Sequence, residues 1–126
     1  MRLVFTMAVA LIVFLGIGLY SEIWISNTAQ EISIEVSKLE EMINNRDWDE
    51  ASQLIDNIQK DWSSIEESWD IIVDHREMDE IDLALTRSIK FIEAESFDLA
   101  LAEIAVLKHM VLHIAKKESL KILNIF

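Results

Sequence analysis

The residue types best suited to chemistry in this chain are its three histidines, His75, His109 and His113. His109 and His113 are four positions apart, a spacing at which one helix can present two imidazoles to the same metal ion. In an up-down bundle His75 would lie at the same end as His113, so the three define a candidate metal site. The apolar spacing around His109 and His113, however, places both on the outward face of their helix. We therefore expect surface histidines, with no bound metal and no other cofactor.

The composition argues against several other chemistries. The chain of 126 residues contains no Cys, which excludes disulfides, thiol catalysis and Cys-ligated zinc or iron–sulfur centres. It has only two Gly, and it shows no Gly-rich phosphate loop, calcium-binding loop or Ser-His-Asp signature. With 23 Asp and Glu against 11 Lys and Arg, the net charge of −12 argues against a nucleic-acid partner. We expect a protein that is not an enzyme.

Residues 3–21 carry no charged side chain and form a candidate membrane span. As a helix this segment is about 28 Å long, close to the hydrocarbon thickness of a bilayer. It is longer than the apolar core of a cleaved signal peptide, so residues 1–24 are interpreted as an uncleaved signal anchor. Tyr20 and Trp24 lie where interfacial aromatic residues anchor a span. Arg2 before the span and acidic residues after it predict a cytoplasmic N-terminus, with the acidic residues 25–126 outside the cell membrane.

A regular apolar spacing continues beyond the anchor, so one long helix is predicted to leave the membrane and to run to about residue 44. The helix is expected to stop at residues 44–46, because Asn tolerates the left-handed conformation at a helix end. The apolar stripe is the candidate interaction face. It suits packing within the chain, a homodimer seam or the membrane-proximal helix of a partner. The face consists of Ile25, Ile32, Val36, Leu39 and Ile43.

Apolar residues spaced three and four apart predict three further helices. Their expected starts are Asp47, with Glu50 completing a capping box, then Asp79, then Ser96. The tail, residues 116–126, is expected to pack back onto the bundle. The sequence thus predicts an all-α fold, in which an N-terminal transmembrane helix continues into an antiparallel helical bundle of two αα-hairpins, about four helices in all. Its expected core includes Trp48, Ile55, Trp62, Trp69, Phe97 and Ile104.

Two stretches of the chain are similar to each other, since residues 42–51 align with residues 91–100. Both contain an aromatic residue, then Asp, then Ala at the same spacing. Two helix joints with similar caps explain the similarity, and so does a duplicated αα-hairpin. Both explanations stay open.

Several short motifs together resemble a known family. The motifs are Asn45-Arg46-Asp47-Trp48-Asp49-Glu50-Ala51, His75-Arg76-Glu77-Met78-Asp79-Glu80-Ile81, Ala100-Leu101-Ala102-Glu103-Ile104, His113-Ile114 and Asn124-Ile125-Phe126. With the N-terminal anchor, they resemble domain-of-unknown-function family 4363, which comprises small membrane-anchored helical proteins from spore-forming Firmicutes. The resemblance covers essentially the whole chain, and it departs from the expected family pattern at Ala115, where a Pro is expected. It implies an accessory role in the cell envelope beside sporulation membrane proteins, including relatives of the stage V group, and it brings no catalytic residues.

Two functions suit these observations. The first is a non-enzymatic accessory or interaction protein, held by a single membrane pass and bound to an integral-membrane protein or to a second copy of itself. The alternative is an extracytoplasmic metal or small-ligand sensor that uses the His75 and His113 end of the bundle. The anchor, the apolar stripe and the lack of a catalytic motif favour the first.

Overall fold

The fold is built from four helices, and no strand occurs among the residues described. A computed structural model describes residues 1–125, apart from the side chains of residue 119 and residues 121–125. The predicted all-α fold is confirmed. The helices are α1 (Arg2–Asn44), α2 (Trp48–Trp69), α3 (His75–Glu93) and α4 (Phe97–Ile125).

The helices alternate in direction and form an antiparallel bundle. Each helix packs against the next one in sequence, and α4 closes the bundle against α1. The Lys108 ammonium of α4 donates to the Ser37 hydroxyl of α1 over 2.8 Å. The connectors after α1 and α3 therefore lie at one end of the bundle, which we call the far end. The connector after α2 lies at the opposite end, which we call the extension end.

Helix α1 is longer than the bundle requires. Its first part, residues 2–20, contains no buried residue, and we call this part the extension. By length and composition, α1 is the one helix of the described chain that is apolar enough to cross a membrane, and its most apolar window lies wholly outside the core. No break separates the extension from the core part, so α1 is a single rod about 65 Å long.

The apolar stripe of α1 lies inside the chain's own core. Its residues are at most 4% exposed, and the only helices that α1 contacts are α2 and α4. Of the three uses that the spacing allows, packing within the chain is the one found. The expectation that this stripe is an interaction face is therefore corrected, because helices of the same chain already cover it. The residues concerned are Ile25, Ile32, Val36, Leu39 and Ile43.

The other helices contribute their apolar faces to the same core. Four of the six expected core residues are buried, and two are half-buried against the core at the far end. Burial of such side chains contributes about 25 cal/mol for each Å² of apolar surface removed from water. The buried four are Ile55, Trp62, Trp69 and Ile104, and the half-buried two are Trp48 and Phe97.

The joint after α1 is a Schellman motif. The Arg46 amide donates to the Ile43 carbonyl and the Asp47 amide to the Met42 carbonyl, both over 2.9 Å. This pattern requires one left-handed residue, which is Arg46 at φ 59°. The expectation of a left-handed Asn is wrong, since Asn45 is right-handed at φ −84°. Asp47 is the N-cap of α2 as expected, but its side chain makes no capping hydrogen bond.

The joint after α3 repeats this geometry. The Glu95 amide donates to the Ile92 carbonyl and the Ser96 amide to the Phe91 carbonyl, again over 2.9 Å. Glu95 is left-handed at φ 52° and takes the place that Arg46 takes in the first joint. The similarity of residues 42–51 to residues 91–100 thus extends to the backbone. It places two equivalent joints side by side at the far end.

Helix α3 begins one turn earlier than the sequence analysis expects. Asp74 is its N-cap and accepts a hydrogen bond from the Arg76 amide over 2.9 Å. The helix therefore starts at His75 and not at Asp79. An Asp side chain that accepts a hydrogen bond from a free amide of the first turn stabilises the start of a helix. This bond is made by Asp74, so the helix begins there and not at the later acidic residue, Asp79.

The C-terminal tail continues α4 instead of folding back. The helix is unbroken to Ile125, and Leu120 is 49% exposed. The expected packing of the tail also falls on Ile122, Leu123, Ile125 and Phe126, whose side chains lie outside the described residues.

Candidate functional site

A surface pocket of about 380 Å³ lies between the two joints at the far end. The guanidinium carbon of Arg46 is 4.2 Å from the ring centroid of Phe97, the first residue of α4. Glu95, the equivalent residue of the other joint, lines this pocket together with Trp48, the first residue of α2. Each left-handed residue thus lies near the aromatic residue that begins a helix of the other hairpin. Arg46 contacts Phe97, and Glu95 lines the same pocket as Trp48.

The pocket is acidic. Its lining holds one cation, Arg46, and four carboxylates, Asp47, Asp49, Glu50 and Glu95. Three of the carboxylates lie at the start of α2, where the partial positive charge of the helix N-terminus stabilises anions. A surface of this composition attracts cationic groups through its field. Its lining has no Ser, Thr, Cys or His that could act as a nucleophile or a general base.

A second polar group lies between α2 and α3. Trp62 Nε1 donates to Asp82 Oδ1 over 2.6 Å, so the indole has the acceptor that a buried Trp needs. Burial raises the pKa of Glu66, and a hydrogen bond to Asp82 together with the charges of Asp82, Asp70 and Asp79 raises it further. When Glu66 is protonated, its carboxyl group donates a hydrogen bond to Asp82. This group ties α2 to α3.

Near the extension end, two buried polar atoms lack a partner. Trp69 is fully buried and packs edge-on against Trp62, with ring centroids 5.6 Å apart. Its Nε1 has no hydrogen-bond partner among the described residues, and neither does Glu77 Oε2. The other Glu77 oxygen accepts from the Lys117 ammonium over 2.8 Å, and this bond raises the pKa of Lys117.

The three histidines lie on the surface. His75 Nδ1 is 2.9 Å from Asp70 Oδ1, and the His75 side chain is 76% exposed. The rings of His109 and His113 stack on the exposed face of α4, with centroids 6.1 Å apart. In the part of the chain that the structure describes, no three His, Asp or Glu side chains are placed to hold one metal ion. The structure therefore brings His109 and His113 together but does not extend the pair into a metal centre.

The contacts of Arg46 with Phe97 and of Trp62 with Asp82 are absent from the sequence analysis. A signal for the first existed, because Arg46 and Glu95 occupy equivalent positions in the two similar stretches. That signal does not say that each joint lies beside the opposite hairpin. For the second contact, helical spacing identifies Trp62 as a core residue but does not indicate which polar residue of a neighbouring helix meets its indole.

A family model described as "Domain of unknown function (DUF4363)" matches residues 19–125. The match covers the whole bundle and only the last two residues of the extension. No curated protein and no solved structure was found to match the chain.

Proposed function

The chain belongs to the DUF4363 family, and we propose that it is a non-enzymatic accessory protein that α1 anchors in the cell membrane. The observation that carries this proposal is the continuity of α1, since one unbroken helix provides both the exposed extension and one wall of the core. A bundle joined to its anchor without a hinge has its height and tilt set by the anchor. Such a protein is suited to presenting a fixed surface beside another membrane protein.

The orientation that we propose places the N-terminus in the cytoplasm and the bundle outside. Arg2 is the single basic residue before the span, whereas Glu22 is the first charged residue after it. The positive-inside rule favours Arg2 on the cytoplasmic side. Tyr20 is 72% exposed at the end of the extension, and Trp24 packs against the first residues of the core. Aromatic residues at this level suit the outer membrane interface.

The partner that we propose is an integral-membrane protein. The apolar stripe of α1 is already covered, so it cannot receive a second protein. The apolar side chains of the extension stay uncovered, and in a bilayer they meet either lipid or the transmembrane helix of another protein. A role in the bacterial envelope, beside membrane proteins of sporulation, rests on the resemblance of the sequence motifs alone.

The proposal is tested by co-purification from the native host. The full chain, with a C-terminal affinity tag, is solubilised in a mild detergent, and its companions are identified by mass spectrometry. The matched control replaces residues 3–20 with an unrelated apolar segment of the same length. We expect a stoichiometric integral-membrane companion that the control loses. Recovery of the chain alone, as a monomer or a homo-oligomer, would contradict the proposal.

A further inference from the structure

Ile71 is the most exposed apolar residue among the described residues of the bundle. It lies in the connector between α2 and α3, residues 70–74, and is 88% exposed. Among the described large apolar residues, only Met1 is more exposed. Other outward apolar residues of the bundle, such as Leu83 and Leu99, are 52% exposed.

The connector holds Ile71 outward in a fixed turn. The amides of Ile72 and Val73 both donate to the Trp69 carbonyl over 2.8 Å. Val73 is only 4% exposed and Ile72 packs against the core, so the residues that follow Ile71 fasten the turn to the bundle. The exposure of Ile71 therefore follows from a hydrogen-bonded backbone whose next two side chains face the bundle, with Ile72 half-buried against the core and Val73 inside it.

Ile71 lies close to the level at which the extension ends and the buried part of α1 begins. One surface pocket is lined by residues of both α1 and α2, and across it residue 32 lies level with about residue 64. Because the two helices are antiparallel, residue 71, seven positions after residue 64, lies level with about residue 25, seven positions before residue 32. The charge-free stretch ends at residue 21, about 6 Å further along α1. The headgroup layer on each side of a bilayer is about 5–8 Å thick. The pocket is lined by Glu31, Ile32, Glu35, Asp61, Ser64 and Ile65.

The charges around the connector suit a membrane surface better than those of the far end. The far-end pocket has four carboxylates and one cation. Beside the connector, the three carboxylates Asp70, Asp74 and Glu77 are accompanied by two cations, Arg76, whose side chain is 89% exposed, and Lys117, which binds Glu77. Anionic headgroups repel a strongly acidic surface and attract exposed basic side chains.

We propose that the α2–α3 connector inserts Ile71 into the outer headgroup layer of the same membrane that α1 crosses. This inference rests on the proposed function, because it requires α1 to span the bilayer. The bundle then contacts the membrane at two places, the α1 span and Ile71. The second contact restricts the tilt of the rigid α1 and bundle relative to the bilayer, because tilting away from the connector would withdraw Ile71 from the headgroup layer. The far-end pocket lies at the end of the bundle opposite to both contacts.

The test uses fluorescent labels at single cysteines, for which the natural chain is suited because it contains no Cys. The variants are Ile71→Cys, Leu83→Cys as the matched bundle control and Ile12→Cys within the extension. Each full chain carries an environment-sensitive label in vesicles of phosphatidylethanolamine and phosphatidylglycerol, with a nitroxide quencher on the acyl chains, placed near the headgroups for positions 71 and 83 and near the bilayer centre for position 12. Circular dichroism checks that each labelled chain keeps its helix content.

We expect the label at position 71 to be quenched several-fold more than the label at position 83, and the label at position 12 to be quenched as well. Equal, weak quenching at positions 71 and 83 beside strong quenching at position 12 would overturn the connector contact and leave the anchor intact. A buried but unquenched label at position 71 would also overturn it, because a protein and not lipid would then cover Ile71. Absence of quenching at position 12 would show that α1 does not enter the bilayer, and it would overturn both the proposed membrane anchor and the proposed connector contact.

Discussion

The guanidinium of Arg46 lies 4.2 Å above the centre of the Phe97 ring and joins the two hairpins at the far end. Arg46 has the left-handed backbone conformation, at φ 59°. That conformation costs a residue other than Gly about 1–2 kcal/mol. A cation–π contact at an exposed site contributes about 0.5–1 kcal/mol. The side chain of Arg46 therefore offsets part of the strain in its own backbone.

Glycine substitutions at the two left-handed residues should differ in effect. At Glu95, for which the structure shows no side-chain hydrogen bond or ion pair among the described residues, Glu95→Gly should raise the free energy of unfolding by about 0.5–1 kcal/mol. Arg46→Gly removes the same backbone strain but also removes the contact with Phe97, so the free energy of unfolding should change by close to zero. Urea unfolding of the full chain in detergent, followed by circular dichroism, measures both. An equal gain at the two positions would show that the Phe97 contact contributes nothing.

Trp62→Ala should lower the free energy of unfolding by about 3–5 kcal/mol, because it leaves a cavity among residues that pack closely around the ring. Trp62→Phe keeps an aromatic ring but removes the hydrogen bond to Asp82, and should cost about 1–2 kcal/mol, mainly from that bond. The same urea unfolding measures both variants. An unchanged unfolding curve for Trp62→Ala would remove Trp62 from the core.

The carboxyl of Glu66 should make the fold more stable at mildly acidic than at neutral pH. Burial and its acidic neighbours raise the pKa of Glu66 above the ordinary value of 4.5 in the folded chain. The folded state then binds more protons than the unfolded state above pH 4.5, so the free energy of unfolding falls as pH rises through that window. Burial and the nearby charge of Asp61 raise the pKa of Glu35 too, which acts in the same direction.

Glu66→Gln should flatten this pH dependence and stabilise the fold at neutral pH, because the amide can donate to Asp82 without adding a charge. Glu67→Gln, at the adjacent exposed position, is the matched control and should have little effect at neutral pH. Thermal unfolding across a pH series gives the comparison. A steeper loss of stability at neutral pH in Glu66→Gln than in the natural chain would contradict the assignment.

Zinc should bind the full chain weakly. His75 pairs with Asp70, and the stacked His109 and His113 have no third ligand among the residues described. Calorimetric titration of the chain in detergent should therefore show no tight, stoichiometric binding. Tight binding that His75→Ala and His113→Ala both abolish without unfolding the chain would instead support the metal-sensor hypothesis.

The helices could be predicted from the sequence because their burial follows the spacing of apolar residues. In α1 every residue of the predicted stripe from Ile25 to Ile43 is buried, and in α4 the expected core residue Ile104 is buried while Phe97, at the start of the helix, is half-buried. The spacing does not say what covers a stripe, which is why α1 was expected to offer an interaction face. A stripe that packs within the chain and a stripe that binds a partner both need apolar residues at the same helical spacing.

The backbone conformation of the joints was less predictable from the sequence, because backbone hydrogen bonds determine which residue is left-handed. Asn44 and Asn45 tolerate the left-handed conformation best, yet the Schellman bonds impose it on Arg46. Ile71 gave no sequence signal at all, since it is one of three consecutive apolar residues, Ile71, Ile72 and Val73. Only the turn separates the exposed residue from the two that pack inward.

The central claim, a bundle held outside the cell membrane by α1, is tested most directly by cysteine labelling in intact cells. Leu99→Cys places a thiol near the far end, and Leu3→Cys places one at the start of α1; both positions are exposed. A membrane-impermeant maleimide should label position 99 in intact cells and position 3 only after permeabilisation. Labelling of position 99 only after permeabilisation would place the bundle on the cytoplasmic side and contradict the account.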